Sequence, residues 1–126
     1  MKTNYPVGDF LIRAKNTAVA KNKELVVASA KEVSELANVL KKLGYFSEVK
    51  KEKDTLRITL AYKNKRPVLT NLKLRSKPGL RIYMNVKEIE SKKGPSTYVI
   101  STPKGILSSR EAIKQRSGGE VIAEIW

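Results

Sequence analysis

Ser101-Thr102-Pro103-Lys104 places two hydroxyls and an ammonium within four residues, and that set is open to two kinds of chemistry. One is covalent. S-x-x-K is the spacing at which a lysine activates a serine nucleophile in penicillin-binding enzymes. The motif is short and frequent by chance, and those enzymes need a large α/β scaffold and further motifs such as K-T-G, which these 126 residues do not contain. The other is non-covalent. Double-helical RNA presents a wide, shallow minor groove lined by 2′-hydroxyls and base edges. Ser101 and Thr102 can exchange hydrogen bonds with those groups, Lys104 can meet phosphate, and Gly105 allows close approach. Pro103 stiffens the segment and donates nothing. An ordinary hairpin turn with solvated hydroxyls is the plainer alternative, and the local sequence leaves both open.

Charge points to the second chemistry. There are 26 Lys plus Arg against 12 Asp plus Glu, a net charge of +14. Residues 1–72 carry 15 basic and 7 acidic groups and residues 73–126 carry 11 and 5, so the excess is a broad basic surface and not a tail. Such a field favours a polyanion, nucleic acid ahead of anionic membrane. With no cysteine there is no disulfide framework or thiolate chemistry, and with no histidine the usual neutral-pH proton shuttle and commonest metal ligand are missing. No P-loop, zinc or dinucleotide pattern occurs, and no enzymatic activity, cofactor or metal is expected. There is no signal pattern and no apolar run of spanning length, so the expected compartment is the cytoplasm.

The elements that must hold the loop follow from periodicity. Residues 4–20 read as a helix with Asn4 or Tyr5 at its cap, Pro6 in the first turn, and Leu11, Ala14 and Ala18 on one face. Glu24 to Ala28 is a strand. Ser29 with Glu32 reads as a capping box for a helix whose stripe is Val33, Leu36, Ala37, Leu40 and Leu43, stopped at Gly44. Residues 45–51 and 55–62 form an antiparallel pair, and Val68, Thr70, Leu72 and Leu74 alternate as a further strand after Pro67. Ser76-Lys77-Pro78-Gly79 is the boundary. Beyond it lie a strand at 80–83, a helical turn at 85–90, a basic loop at 92–95 and a strand at 97–102. Ser108 with Glu111 reads as a second capping box, and 120–126 is a closing strand. The fold class is α/β (α+β). Residues 1–75 form an αβαβββ lobe with two helices on a mixed sheet, and residues 76–126 form a mostly β lobe with a short helix that carries the recognition loop.

Two further sites suit a nucleic acid. Arg81 and Tyr83 share one strand face beside Lys77, so a cation and a stacking ring reach the same region; cross-sheet packing of Tyr83 is the alternative. Arg13, Lys15 and Asn16 edge the first helix, with a solvated helix face as the alternative. Ser29 and Lys31 stand at a helix amino end, which attracts phosphate and positions RNA without reading its sequence.

The segments D-F-L-I-R-A-K-N (9–16), S-A-K (29–31), S-K-P-G-L-R-I-Y (76–83), I-S-T-P-K-G-I-L-S-S-R-E-A (100–112) and G-G-E-V (118–121) resemble, in order and spacing, those of the family of the eighth protein of the small ribosomal subunit. The resemblance runs from about residue 4 to Trp126. It implies a two-lobed α/β protein without enzymatic activity, a monomer when free. It also implies binding to the central domain of small-subunit ribosomal RNA early in assembly, among neighbouring small-subunit proteins. In some bacteria the same surface represses the protein's own operon messenger RNA, so a ribosome-independent repressor or assembly factor is the alternative function. The family's S-T-S-K-G loop corresponds to Ser101, Thr102, Pro103, Lys104 and Gly105, with Pro103 replacing the second serine. Arg81 and Tyr83 match R-x-Y, and Gly118, Gly119 and Glu120 match the turn bordering the RNA surface. Asp9, Arg13 and Asn16 match at the amino end, where Lys15 stands in place of the usual arginine.

Overall fold

The structure is a computed structural model that describes residues 5–92 and 94–126. Asn4 as a helix cap and Lys93 of the basic loop lie outside the described residues. The chain runs α1 (Pro6–Val19), β1 (Glu24–Ala28), α2 (Lys31–Lys42), β2 (Phe46–Glu52), β3 (Thr55–Leu60), β4 (Tyr62–Lys63), β5 (Arg66–Pro67) and β6 (Leu72–Leu74). It continues through β7 (Tyr83–Met84), α3 (Val86–Ser91), β8 (Thr97–Thr102), β9 (Gly105–Ser108), α4 (Ser109–Lys114) and β10 (Gly119–Ile125). Helix and strand alternate in the amino-terminal part and the carboxy-terminal part is mostly β, as the periodicity predicts.

Two antiparallel sheets carry most of the ladder. The first has the order β1-β3-β2, and the second has the order β6-β10-β8-β9 with β7 also on β10. Leu56, Ile58 and Leu60 turn inward from β3, while Arg57 points outward between Glu24 and Glu52. Helix α2 buries Val33, Leu36, Ala37 and Leu40, and α1 buries Phe10, Leu11, Ala14 and Ala18. Phe10 meets Phe46 edge to face, with ring centroids 6.1 Å apart. These side chains join Val99, Ile106, Ile122 and Ile125 of the second sheet in one continuous core. Ile89, Ile100 and Ala112 form a smaller core on that sheet's other face, under α3 and α4.

Several local expectations change. The amino-terminal sheet, expected to be mixed, is antiparallel throughout, and the strand read over 80–83 is confined to Tyr83–Met84 because Leu80 is taken by a tight bridge to Lys77. Ser29 does not cap α2: the helix starts at Lys31, so the cap position falls on Ala30, which has no side chain able to accept a bond. The Ser29 amide donates to the Asp54 carbonyl at 2.8 Å, tying the end of β1 to the β2–β3 turn. The strand read over 68–74 shrinks to Leu72–Leu74, which pairs with β10 in the second sheet. The segment before it is taken by the small β4–β5 pair and by Thr70 and Asn71, whose amides bond the Trp126 carbonyl. The full capping box is at Asn85 and Glu88, opening α3, where only a turn was expected. At α4 the Ser108 hydroxyl accepts from the Glu111 amide at 3.2 Å, the forward half of the expected box.

Chain direction decides what gathers at the ends. β1 and α2 meet at residues 28–31, β2 turns into β3 at 53–54, β8 turns into β9 at 103–104, and β10 begins at 119. The Ser29–Asp54 bond draws the first two of these together, and Glu35 on α2 accepts from the Ile106 amide of β9 at 3.2 Å. The amino end of α2, with its partial positive charge, therefore opens beside the 103–105 turn.

Candidate nucleic-acid interface

The β8–β9 hairpin turns on Pro103 and Lys104, with Thr102 paired to Gly105. Gly105 takes φ +109, a left-handed-side conformation that a side chain would strain. Thr102 builds the turn itself. It is 9 % exposed, its hydroxyl donates to the Gly105 carbonyl at 2.8 Å, and the same oxygen accepts from the Lys104 amide at 3.1 Å. Its one O–H is thus committed inside the protein. Lys104 Nζ donates to the Gln115 carbonyl at 3.2 Å, which holds an exposed ammonium over the end of α4. Ser101 is half-buried at the mouth of the turn.

The sheet register extends the site sideways. Tyr83 of β7 lies opposite Glu120 of β10, which lies opposite Ser101 of β8. Directly opposed residues in antiparallel strands point to the same face. Tyr83 is 66 % exposed, so its ring stands free at the edge of this row. Arg81 is not free: its Nη1 pairs with Glu120 Oε2 at 3.1 Å, and its guanidinium sits 4.9 Å from the Tyr5 ring centroid. The Tyr5 hydroxyl titrates above its ordinary range, chiefly through burial, with the Glu120 charge adding and Arg81 opposing.

Gly118 and Gly119 owe their identity to the protein's own packing. A Cβ at Gly119 would stand 2.0 Å from the Ser101 carbonyl oxygen, and one at Gly118 would stand 2.5 Å from that of Met84. The glycines let β10 cross beside β7 and β8 and so fix the spacing of Tyr83 and Ser101.

One cleft joins α2 to the β8–β9 turn: Lys31, Glu32 and Glu35 of α2 face Ser101, Thr102, Lys104 and Gly105. A neighbouring groove is bordered by Tyr83, Met84, Gly118 and Gly119. Ser29, half-buried, sits one turn of chain before Lys31. Lys77 lies on the exposed turn before Arg81, closed by its amide and carbonyl on Leu80 at 2.8 and 2.9 Å. Arg13 and Asn16 do not join this cleft. Arg13 lines a different groove with Asp9 and Ala28, and its Nη2 donates to the Val26 carbonyl at 3.0 Å, while Asn16 is exposed on α1.

Two residues matter that the sequence did not single out. Glu35 lines the cleft together with Glu32 and is the link between α2 and β9, a contact 71 positions away along the chain that no local pattern reveals. Ser76 is fully buried and its Oγ accepts from the Ile82 amide at 2.9 Å, which sets the segment that carries Arg81 into β7 and Tyr83. Its place before Lys77-Pro78-Gly79 was the available sign. Among the described residues no group of three acidic side chains is placed to hold a metal, and no helix is long and apolar enough to cross a membrane.

The family model for ribosomal protein S8 matches residues 5–126. Small ribosomal subunit protein uS8 of Trichormus variabilis is 38 % identical over 133 residues, covering all of both chains. The uS8 proteins of Nitratidesulfovibrio vulgaris and Mycoplasma mobile are each 36 % identical over 96 % of this chain, covering 97 % and 95 % of their own length. The chain belongs to the ribosomal protein S8 family.

Proposed function

We propose that this protein is a structural constituent of the small ribosomal subunit that docks the β8–β9 turn into the minor groove of a helix in the central domain of the ribosomal RNA. The family is one of structural RNA-binding proteins and not of enzymes. The observation that carries the reading is the single cleft in which Lys31 from α2 faces Ser101, Lys104 and Gly105, continued by the exposed ring of Tyr83. Ser101 offers a hydroxyl to 2′-OH groups, Lys31 and Lys104 meet phosphates, and Tyr83 stacks on an accessible base or sugar. Thr102 serves by holding the turn. Lys77, Arg81 and the Gly118–Glu120 segment shape the flank.

Within this reading residues 76–126 set specificity and residues 1–75 add electrostatic affinity through Ser29, Lys31, Arg13 and Asn16. The hydroxyl-bearing turn supports the division, since it lies in the second span while positive charge lies in both. The shared core and the pairing of β6 with β10 hold the two spans in one geometry. Early binding supports subunit assembly because it needs only RNA and this preformed surface. A translational repressor acting on its own messenger RNA would use the same cleft. Cosedimentation with small subunits through a high-salt wash tests the structural role. Retention is expected, and quantitative release with continued tight binding to a free messenger RNA would favour the repressor.

A further inference from the structure

At the other end of the molecule, away from the β8–β9 turn, two short turns carry cations without counter-charges. The first follows α1: Lys21 takes φ +60 just past the helix end, where glycine or asparagine is usual. The second is the β4–β5 hairpin, in which Asn64 and Lys65 take φ +53 and +65 between Lys63 and Arg66. Two successive positive φ values make a type I′ turn, whose second position strongly favours glycine. A lysine in the left-handed region costs roughly 1–2 kcal/mol, and that cost is borne here at both Lys21 and Lys65, as it is at Lys53 and Arg116 in other turns. The turns are clamped together, since the Tyr62 hydroxyl donates to the Asn22 carbonyl at 2.9 Å. Lys21 and Arg66 line one groove between them.

Arg57, Arg75 and Arg81 are each paired with a carboxylate, whereas among the described residues none of Lys21, Lys63, Lys65 and Arg66 is. The nearest acid in sequence to Lys21, Glu24, is held by Arg57 at 2.6 Å. Salt-bridge pairing on the protein does not account for these four charges. The capping effect of a lysine at the end of α1 covers Lys21 alone.

We propose that Lys21, Lys63, Lys65 and Arg66 form a second phosphate-binding surface that grips the backbone of a separate RNA segment. The inference rests on the RNA-binding reading above but concerns a different surface. β10 spans roughly 20 Å at about 3.3 Å per residue from the Gly119 end to the Ile125 end, and α1 covers a similar length between Tyr5 and Lys21 at about 1.5 Å per residue. A short helix seated on the β8–β9 turn therefore leaves the hairpin free. A folded RNA with a second segment engages both ends and gains affinity by bivalency. The contacts are to phosphate, so they are strongly salt-dependent and indifferent to sequence.

The test compares the wild type with the triple variant Lys63→Gln, Lys65→Gly, Arg66→Gln, in which glycine suits the turn at position 65. Both are titrated at several salt concentrations with intact small-subunit ribosomal RNA and with a short RNA helix that the wild type binds. The slope of log affinity against log salt should fall by about 2–3 for the intact RNA, close to one per charge removed. It should be unchanged for the short helix, and circular dichroism should show the wild-type fold. An unchanged slope with intact RNA, or an equal fall with both RNAs, overturns the second surface and leaves the turn-docking reading intact. A wild type that binds neither RNA in a salt-dependent way overturns both.

Discussion

Thr102 and Ser101 are neighbours with opposite assignments. The Thr102 hydroxyl closes the turn with two backbone bonds, whereas Ser101 is half-buried and lines the cleft, with Glu120 of β10 between it and Tyr83. Thr102→Val leaves the Gly105 carbonyl and the Lys104 amide without that partner, and a loss of about 1–3 kcal/mol in unfolding free energy is expected from urea titration. Thr102→Ser should recover most of it. Ser101→Ala should leave the urea midpoint unchanged and weaken binding to a cognate RNA helix about five- to tenfold, the scale of one lost hydrogen bond. Gly119→Ala drives a Cβ onto the Ser101 carbonyl, so a loss of about 1–3 kcal/mol is expected from forced displacement of backbone. Both hydroxyls were visible in the sequence as possible RNA contacts. Their division was not, because it depends on which one lies inside the hairpin's own hydrogen bonds.

Among the elements, β10 organises the second sheet, pairing with β6, β7 and β8. Glu124 near its far end accepts from Ser96 at 2.6 Å and pairs with Arg75 beside β6. The Ser96 bond, then Arg75, hold its carboxyl below the usual carboxylate range despite burial, which works the other way. A folded-state value below the unfolded one gives stability that is complete above the unfolded value, about 4.3, and is lost as pH falls through the folded value. Glu124→Gln should therefore lower the thermal midpoint at pH 7, and the gap from wild type should narrow below about pH 4. A constant gap across that range would show that Glu124 does not contribute through its charge. Strong stripes such as Val33, Leu36, Ala37 and Leu40 made α2 legible from sequence. The strand over 68–74 was misjudged because its alternation is real only at Leu72 to Leu74, and its partner in β10 lies some fifty residues onward. Ser29 failed as a cap because the helix begins one residue later than the pattern suggested, with Ala30 at the cap position.

At the scale of the whole molecule, the +14 charge is spread over a body with a single main core, and among the described residues Arg57, Arg75 and Arg81 are the cations paired with carboxylates. The composition alone indicated a polyanion partner. The proposed contact surface needed the fold, because Lys31 and Lys104 are 73 positions apart and line one cleft only through the seating of α2 on β9. Lys31→Gln should lower the salt slope by about one and affect cognate and unrelated RNA alike. A loss confined to the cognate RNA would mean that Lys31 reads structure and does not simply attract phosphate.

The most direct measurement is lysine acetylation of the free protein and of its complex with a short helix from small-subunit ribosomal RNA, read residue by residue by mass spectrometry. Docking of the β8–β9 turn predicts strong protection of Lys31 and Lys104, partial protection of Lys77, and unchanged reactivity at Lys50 and Lys114. Full reactivity of Lys31 and Lys104 in a saturated complex, with protection on another face, would contradict it.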